Sequence, residues 1–218
     1  MMIEVVIDMS KRKQFLEIWN IIQDFDHEIR QLGFPLSNKK TKFWVWVILI
    51  VHSLYWLLIN QTGMYAFSES FLKNIGYMFL YIGTCISLIK FSGMATIIGL
   101  RFKHLNKIVG RWSPDKRRRI PESQFNAKMA VKLQDDLMLA SEKLNSLCYW
   151  SLLLWLFNLC IHAVSGTYLF FQFMIHDLDH MGISVCICLI GWLLSYNIQL
   201  VILSSACHFV STEKICFK

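Results

Sequence analysis

Two clusters in this 218-residue chain have the residue types of a metal site. His176, Asp177, Asp179 and His180 crowd into five positions, but so short a turn forms no preorganised cage and no distant ligand set completes it. Cys186 and Cys188 have CxC spacing without a His or carboxylate close by in the same apolar stretch, so they read as small buried hydrophobes. Neither metal nor cofactor is expected. The sequence also lacks a Walker loop, a nucleophile elbow, an acid/base carboxylate pair and a histidine box, so an enzyme is not expected either.

The residues left with chemical potential sit within apolar stretches. Lys90 is the one formal charge inside such a stretch, and two readings stand for it: a wetted internal cavity, or snorkelling towards headgroups near Arg101, about 16 Å further along a helix. Tyr55, Trp56 and Ile59 lie on one apolar stretch and Tyr77, Tyr81 and Thr84 on one face of the next, with Tyr168 and Trp192 placed to approach from two others. Tyr and Trp at such positions form either an interfacial belt or the wall of a small-molecule pocket between helices. In the pocket reading, Tyr55, Trp56, Tyr77, Tyr81 and Trp192 contact the ligand.

The elements that must position these residues are membrane helices. Hydrophobic residues make up 55% of the chain and the mean hydropathy is +0.43, too apolar for a water-soluble domain. Four stretches, about 43–60, 75–100, 147–175 and 181–210, are long enough to span a hydrocarbon core of about 30 Å. The predicted fold class is all-α: a polytopic membrane helix bundle with four transmembrane helices and cytoplasmic helical extensions. No secretory signal precedes it in this sequence, because the first forty residues are mixed and charged.

Orientation follows from Lys and Arg, which are retained on the cytoplasmic side. They crowd before the first span and in the loop 101–146, where Lys116, Arg117, Arg118 and Arg119 are consecutive, whereas 61–74 carries only Lys73 and 176–180 carries none. Both ends are therefore expected in the cytoplasm, with a segment 1–42 before the bundle of 43–210 and a tail of 211–218 after it. The net charge of +7 is a topology signal and an attraction to anionic membrane lipid, without recourse to nucleic acid. The cysteines lie in or beside spans or in the tail, and imply no disulfide framework.

Outside the spans, Phe15, Ile18, Trp19, Ile22, Phe25, Ile29 and Leu32 recur at helical spacing and predict an amphipathic helix over 13–32, broken by Gly33 and Pro35. A second pattern carries the helix of the second span on through Arg101, Phe102, Leu105, Ile108 and Val109 as far as Gly110 and Pro114. A third, from about Ser123, places Met129, Leu133, Leu137, Ala140 and Leu144 on one face leading into the third span.

At this point the chain resembles the insect gustatory receptors, seven-helix chemoreceptors related to insect odorant receptors. The stretch from Gly99 to Ile108, containing Arg101, Phe102, Leu105 and Asn106, is similar to the RF..LN stretch at the inner end of that family's fourth helix. Leu133, Asp136, Leu137, Leu144, Asn145 and Leu152 to Leu154 are similar to the lead into its fifth, and Ser205, Ala206, Cys207, His208 and Glu213 to the end of its sixth. On that alignment the four spans correspond to helices three to six.

The resemblance implies a gustatory chemoreceptor at the plasma membrane, a subunit of a ligand-gated cation channel sensing a small-molecule tastant from outside, and a homo- or hetero-tetramer when full length. It also implies a fragment without the pore helix, whose family signature is TYhhhhhQF. Thr167, Tyr168, Gln172 and Phe173 give TYLFFQF, two residues too short and followed by another span, and are treated as a decoy. The alternative is a non-conducting four-span protein that modulates a partner receptor. A small transporter ranks last, since the first two spans are not inverted copies of the last two. Read in frame past Lys218, the transcript is expected to encode a further apolar span ending in TYhhhhhQF; a stop codon there, with no upstream spans, would favour the modulator.

Overall fold

The computed structural model describes residues 12–37, 39–112, 126–176 and 183–215. The basic run Lys116–Arg119, the proposed start at Ser123, and Asp177, Asp179 and His180 lie outside the described residues. Among those described, the chain is five α-helices without a strand: α1 (Arg12–Gln31), α2 (Lys39–Phe67), α3 (Phe71–Trp112), α4 (Ala127–His176) and α5 (Ile183–Ile215). Four of them, α2 to α5, are long and apolar enough to cross a membrane. α4, with 50 residues, rises about 75 Å, far more than a hydrocarbon core needs. α3, with 42 residues, likewise exceeds a single span.

Helix ends follow local chemistry. Gly33, at φ 85°, closes α1 in a Schellman motif: its N–H donates to the Arg30 carbonyl at 3.0 Å and the Phe34 N–H to the Ile29 carbonyl at 3.0 Å. Asn126 caps α4, its Oδ1 accepting from the Lys128 N–H at 3.2 Å. The largest departure from the sequence reading is at α2. Residues 61–67, read as part of the outer connection 61–74 that carries only Lys73, continue the helix. Backbone groups at the edge of an apolar medium have no better partner than their own ladder, and the Thr62 hydroxyl folds back to donate to the Ile59 carbonyl at 2.8 Å. α2 stops only at Ser68, whose φ of 50° allows the Glu69 N–H to reach the Met64 carbonyl at 3.3 Å.

The described residues form two compact units, to both of which α3, α4 and α5 contribute. In the one built from Val6–Lys40, Lys90–Tyr149 and Ser204–Lys218, α1 buries Ile18, Ile22, Phe25 and Ile29, the stripe expected of an amphipathic helix. Leu133, Leu137, Ala140 and Leu144 of α4 and Ile98, Phe102, Leu105 and Ile108 of α3 are buried in the same unit. Gly99 permits close approach to α5, where a Cβ would stand 2.7 Å from the Phe209 ring. Lys90 is exposed on α3.

Several charges of this unit are paired across helices. Arg101, only 1% exposed, makes a two-pronged bond to Asp26 of α1, from Nε to Oδ1 at 3.1 Å and from Nη2 to Oδ2 at 2.7 Å. Lys132 of α4 binds Glu28 of α1 at 2.6 Å, Lys143 binds Glu17, and the Asn106 amide donates to the Glu213 carbonyl at 2.8 Å. The exposed pairs contribute little, but breaking a buried pair strands a charge. Asp26→Asn or Arg101→Met alone is expected to cost about 3–5 kcal/mol of stability. The double variant Asp26→Leu with Arg101→Met should recover most of it, as read by thermal unfolding of the purified protein in detergent.

Candidate functional site

The other unit is built from Thr41–Ile89 and Trp150–Leu203. Much of its large apolar surface is turned outward, as at Val51, Leu54, Leu58, Phe157 and Val164, which is the arrangement lipid favours and water does not. Inside, small residues bring α2 and α5 together. A Cβ at Gly63 would meet Cys188 Sγ at 3.2 Å, and one at Gly191 would overlap the Ile59 side chain. Cys188, fully buried, occupies that contact as a small apolar residue.

Because α2 and α5 approach so closely at these points, the Tyr55 hydroxyl donates to the Gly191 carbonyl at 2.5 Å. One turn of polar groups then crosses the unit. The Trp56 indole N–H donates to His52 Nε2 at 2.9 Å, which is also 2.8 Å from Cys85 Sγ, and Gln199 Nε2 reaches Cys85 Sγ at 3.3 Å. Since an indole nitrogen only donates, His52 Nε2 must be the acceptor, and the imidazole is the neutral tautomer with its proton on Nδ1. At the far end of α2, Asn60 and Asn74 exchange bonds: Asn60 Nδ2 donates to Asn74 Oδ1 and, at 3.3 Å, to its carbonyl, while Asn74 Nδ2 donates to the Asn60 carbonyl at 3.1 Å.

A cavity of about 250 Å³ opens beside the Asn60–Asn74 pair. Tyr81 and Trp192 line it, and so do Tyr196, His162 and Glu69. Its aromatic walls are braced by stacking: Tyr81 on Trp56 at 4.4 Å and 11°, Trp192 on Phe67 at 6.0 Å and 16°, and His162 on Tyr196 at 5.3 Å and 16°. A second cavity, of about 290 Å³ in the unit containing α1, is bordered by both Glu142 and Lys214. Lys90 borders neither cavity.

Of the aromatic residues singled out by sequence, Tyr81 and Trp192 line the first cavity. Trp56, 2% exposed, stands behind Tyr81 as its stacking partner, and Tyr55 ties α2 to the backbone next to Trp192. The Tyr77 and Thr84 side chains lie outside the described residues, and Tyr168 is exposed. Sequence reasoning did not single out Asn60, Glu69, Asn74 or Tyr196 as pocket residues. The available signal was an Asn at the end of each of two apolar stretches, at the spacing of an antiparallel pair.

Four apolar helices longer than a bilayer, with polar groups turned inward and aliphatic groups outward, define a multi-pass helical membrane protein. The family model for 7tm chemosensory receptors matches residues 1–215, and the chain belongs to that family. It is a receptor family and not one of enzymes. No curated protein and no solved structure matches the chain.

The tight α2–α5 approach generates a direct check. Gly191→Ala is expected to destabilise the unit by about 1–3 kcal/mol through overpacking. Adding Ile59→Val, which removes the overlapping Cδ1, should restore part of the loss in the same thermal unfolding assay.

Proposed function

We propose that this chemosensory receptor is a gustatory receptor of the plasma membrane, a subunit of a ligand-gated cation channel that detects a small tastant from outside. The observation that carries the reading is the cavity of about 250 Å³ beside the short connection after α2. It combines aromatic faces with a few polar atoms, the composition of small-molecule sites. On the charge-derived orientation, with both ends cytoplasmic, that connection faces outside and gives a tastant its approach. The cytoplasmic segment 1–42, the bundle of 43–210 and the tail of 211–218 belong to the same proposal, as does contact of the basic loop with anionic lipid.

Ligand binding acts by selecting one arrangement of packed helices over another. Tyr81 and Trp192 contact the ligand directly. Trp56 holds the Tyr81 ring, and Tyr55 holds the backbone beside Trp192, so truncating either loosens the wall without removing a ligand contact. Tyr77 remains part of the proposed set. Assembly into a homo- or hetero-tetramer is proposed for the full-length subunit.

The test is calcium imaging of cells expressing the protein and challenged with sugars and bitter compounds. Tyr81→Ala is expected to raise the half-maximal ligand concentration by roughly tenfold, the equivalent of one lost aromatic contact of about 1.4 kcal/mol, at unchanged surface expression. An unchanged dose response would remove Tyr81 from the site. A surface-expressed protein that never responds alone but alters the response of a co-expressed receptor would replace the channel reading with that of a modulator.

A further inference from the structure

We infer that the cavity lined by Glu69, Tyr81 and Trp192 selects a small protonated amine carrying an apolar or aromatic body. This rests on the reading of that cavity as the ligand site and goes beyond it by naming the ligand's chemistry.

The first support is charge. Glu69 is the sole acidic residue lining the cavity, and neither Lys nor Arg lines it. The ion pairs among the described residues join Arg101 to Asp26, Lys103 to Glu213, Lys132 to Glu28 and Lys143 to Glu17, and Glu69 belongs to none of them. The contrast with the second cavity is direct, because there Glu142 is matched by Lys214 on the same lining. A half-buried carboxylate that makes no ion pair within 4 Å among the described residues is completed by a ligand that brings a cation.

The second support is the aromatic enclosure. Phe67, Tyr81, Trp192 and Tyr196 all line the cavity that contains Glu69. The faces of such rings carry negative electrostatic potential and attract an ammonium within about 6 Å of a ring centroid, most strongly when water is excluded. A neutral ligand would use the rings and leave the carboxylate unanswered.

The third is that several of the cavity's donors are already spent. Asn60 Nδ2 gives its hydrogens to Asn74 Oδ1 and the Asn74 carbonyl, and the Ser165 hydroxyl donates to the Ile161 carbonyl at 2.7 Å. What these groups still offer is oxygen lone pairs, which accept from an N–H of the ligand. The Schellman-like end of α2 at Ser68 fixes the backbone that carries Glu69. At about 250 Å³, the space is below the 300–1,000 Å³ usual for drug-sized ligands, so the amine is small.

The experiment compares phenethylamine, protonated at neutral pH, with phenethyl alcohol, its neutral counterpart of nearly the same shape, by equilibrium dialysis against the purified protein in detergent. The amine should bind at least roughly tenfold more tightly. Glu69→Gln should abolish that preference while leaving alcohol binding intact, which also shows that the variant is folded. Equal binding of the two compounds, indifferent to Glu69→Gln but weakened for both by Trp192→Ala, would overturn the amine assignment and leave the ligand cavity standing. Binding of neither compound by the folded wild-type protein would overturn the amine assignment, and a tastant response in cells insensitive to Trp192→Ala would remove the cavity itself.

Discussion

In hydrocarbon every unpaired backbone N–H or C=O costs several kcal/mol, and the helices of this chain run as that penalty requires. α2 does not stop where its side chains turn polar at Gln61. It continues to Phe67 and ends at a residue in the left-handed region, so that the Glu69 N–H returns to the Met64 carbonyl. The cavity's carboxylate therefore sits in the short connection directly after a helix termination, and the backbone that carries it is held by the hydrogen bond that closes that helix. The same requirement applies to the apolar part of α4, and the burial of Leu133, Leu137, Ala140 and Leu144 carries that helix further, to 50 residues in all.

With the backbone satisfied internally, what distinguishes the two units is how they handle side-chain polarity. The unit containing α1 pairs opposite charges, the Asp26–Arg101 bond being fully enclosed on the arginine side. The unit containing the first cavity uses neutral groups: the Trp56, His52, Cys85 and Gln199 chain, the Asn60–Asn74 exchange, and the Tyr55 bond to a backbone carbonyl. Neutral networks are less costly to desolvate than ions, and they fix ring orientations without setting up a strong field. Against that background the single carboxylate of Glu69 dominates the local electrostatics of its cavity.

Much of the fold was legible because the relevant signals are periodic. The stripe of Ile18, Ile22, Phe25 and Ile29 and the run of Leu133, Leu137, Ala140 and Leu144 are one-dimensional patterns whose burial follows from helix geometry alone. The four long apolar stretches are equally plain in composition. The cavity was less so. Tyr81 and Trp192 were accessible as aromatic residues in apolar runs, but Trp56 and Tyr55 share that description and serve instead as a stacking partner and a tether. Which aromatic faces a void and which stands behind it depends on where Gly63 and Gly191 let α2 approach α5, and periodicity within one helix carries no such information. Glu69 escaped for another reason: a short polar connection reads as solvated unless its helix end is known.

The residues that carry the family resemblance and those that line the first cavity are different sets. Arg101, Phe102 and Leu105 are buried, Asn106 holds the Glu213 carbonyl, and Leu133, Leu137 and Leu144 are core residues. They specify packing, where a change of one methylene or one charge is felt by many neighbours. The cavity is framed by Tyr81, Trp192, Tyr196 and Glu69, whose side chains border open space and can change size or polarity with less disturbance to the core. The recognisable motif thus lies in the packed, ion-paired unit, and the cavity lies among neutral networks whose lining can change while what holds the fold together is retained.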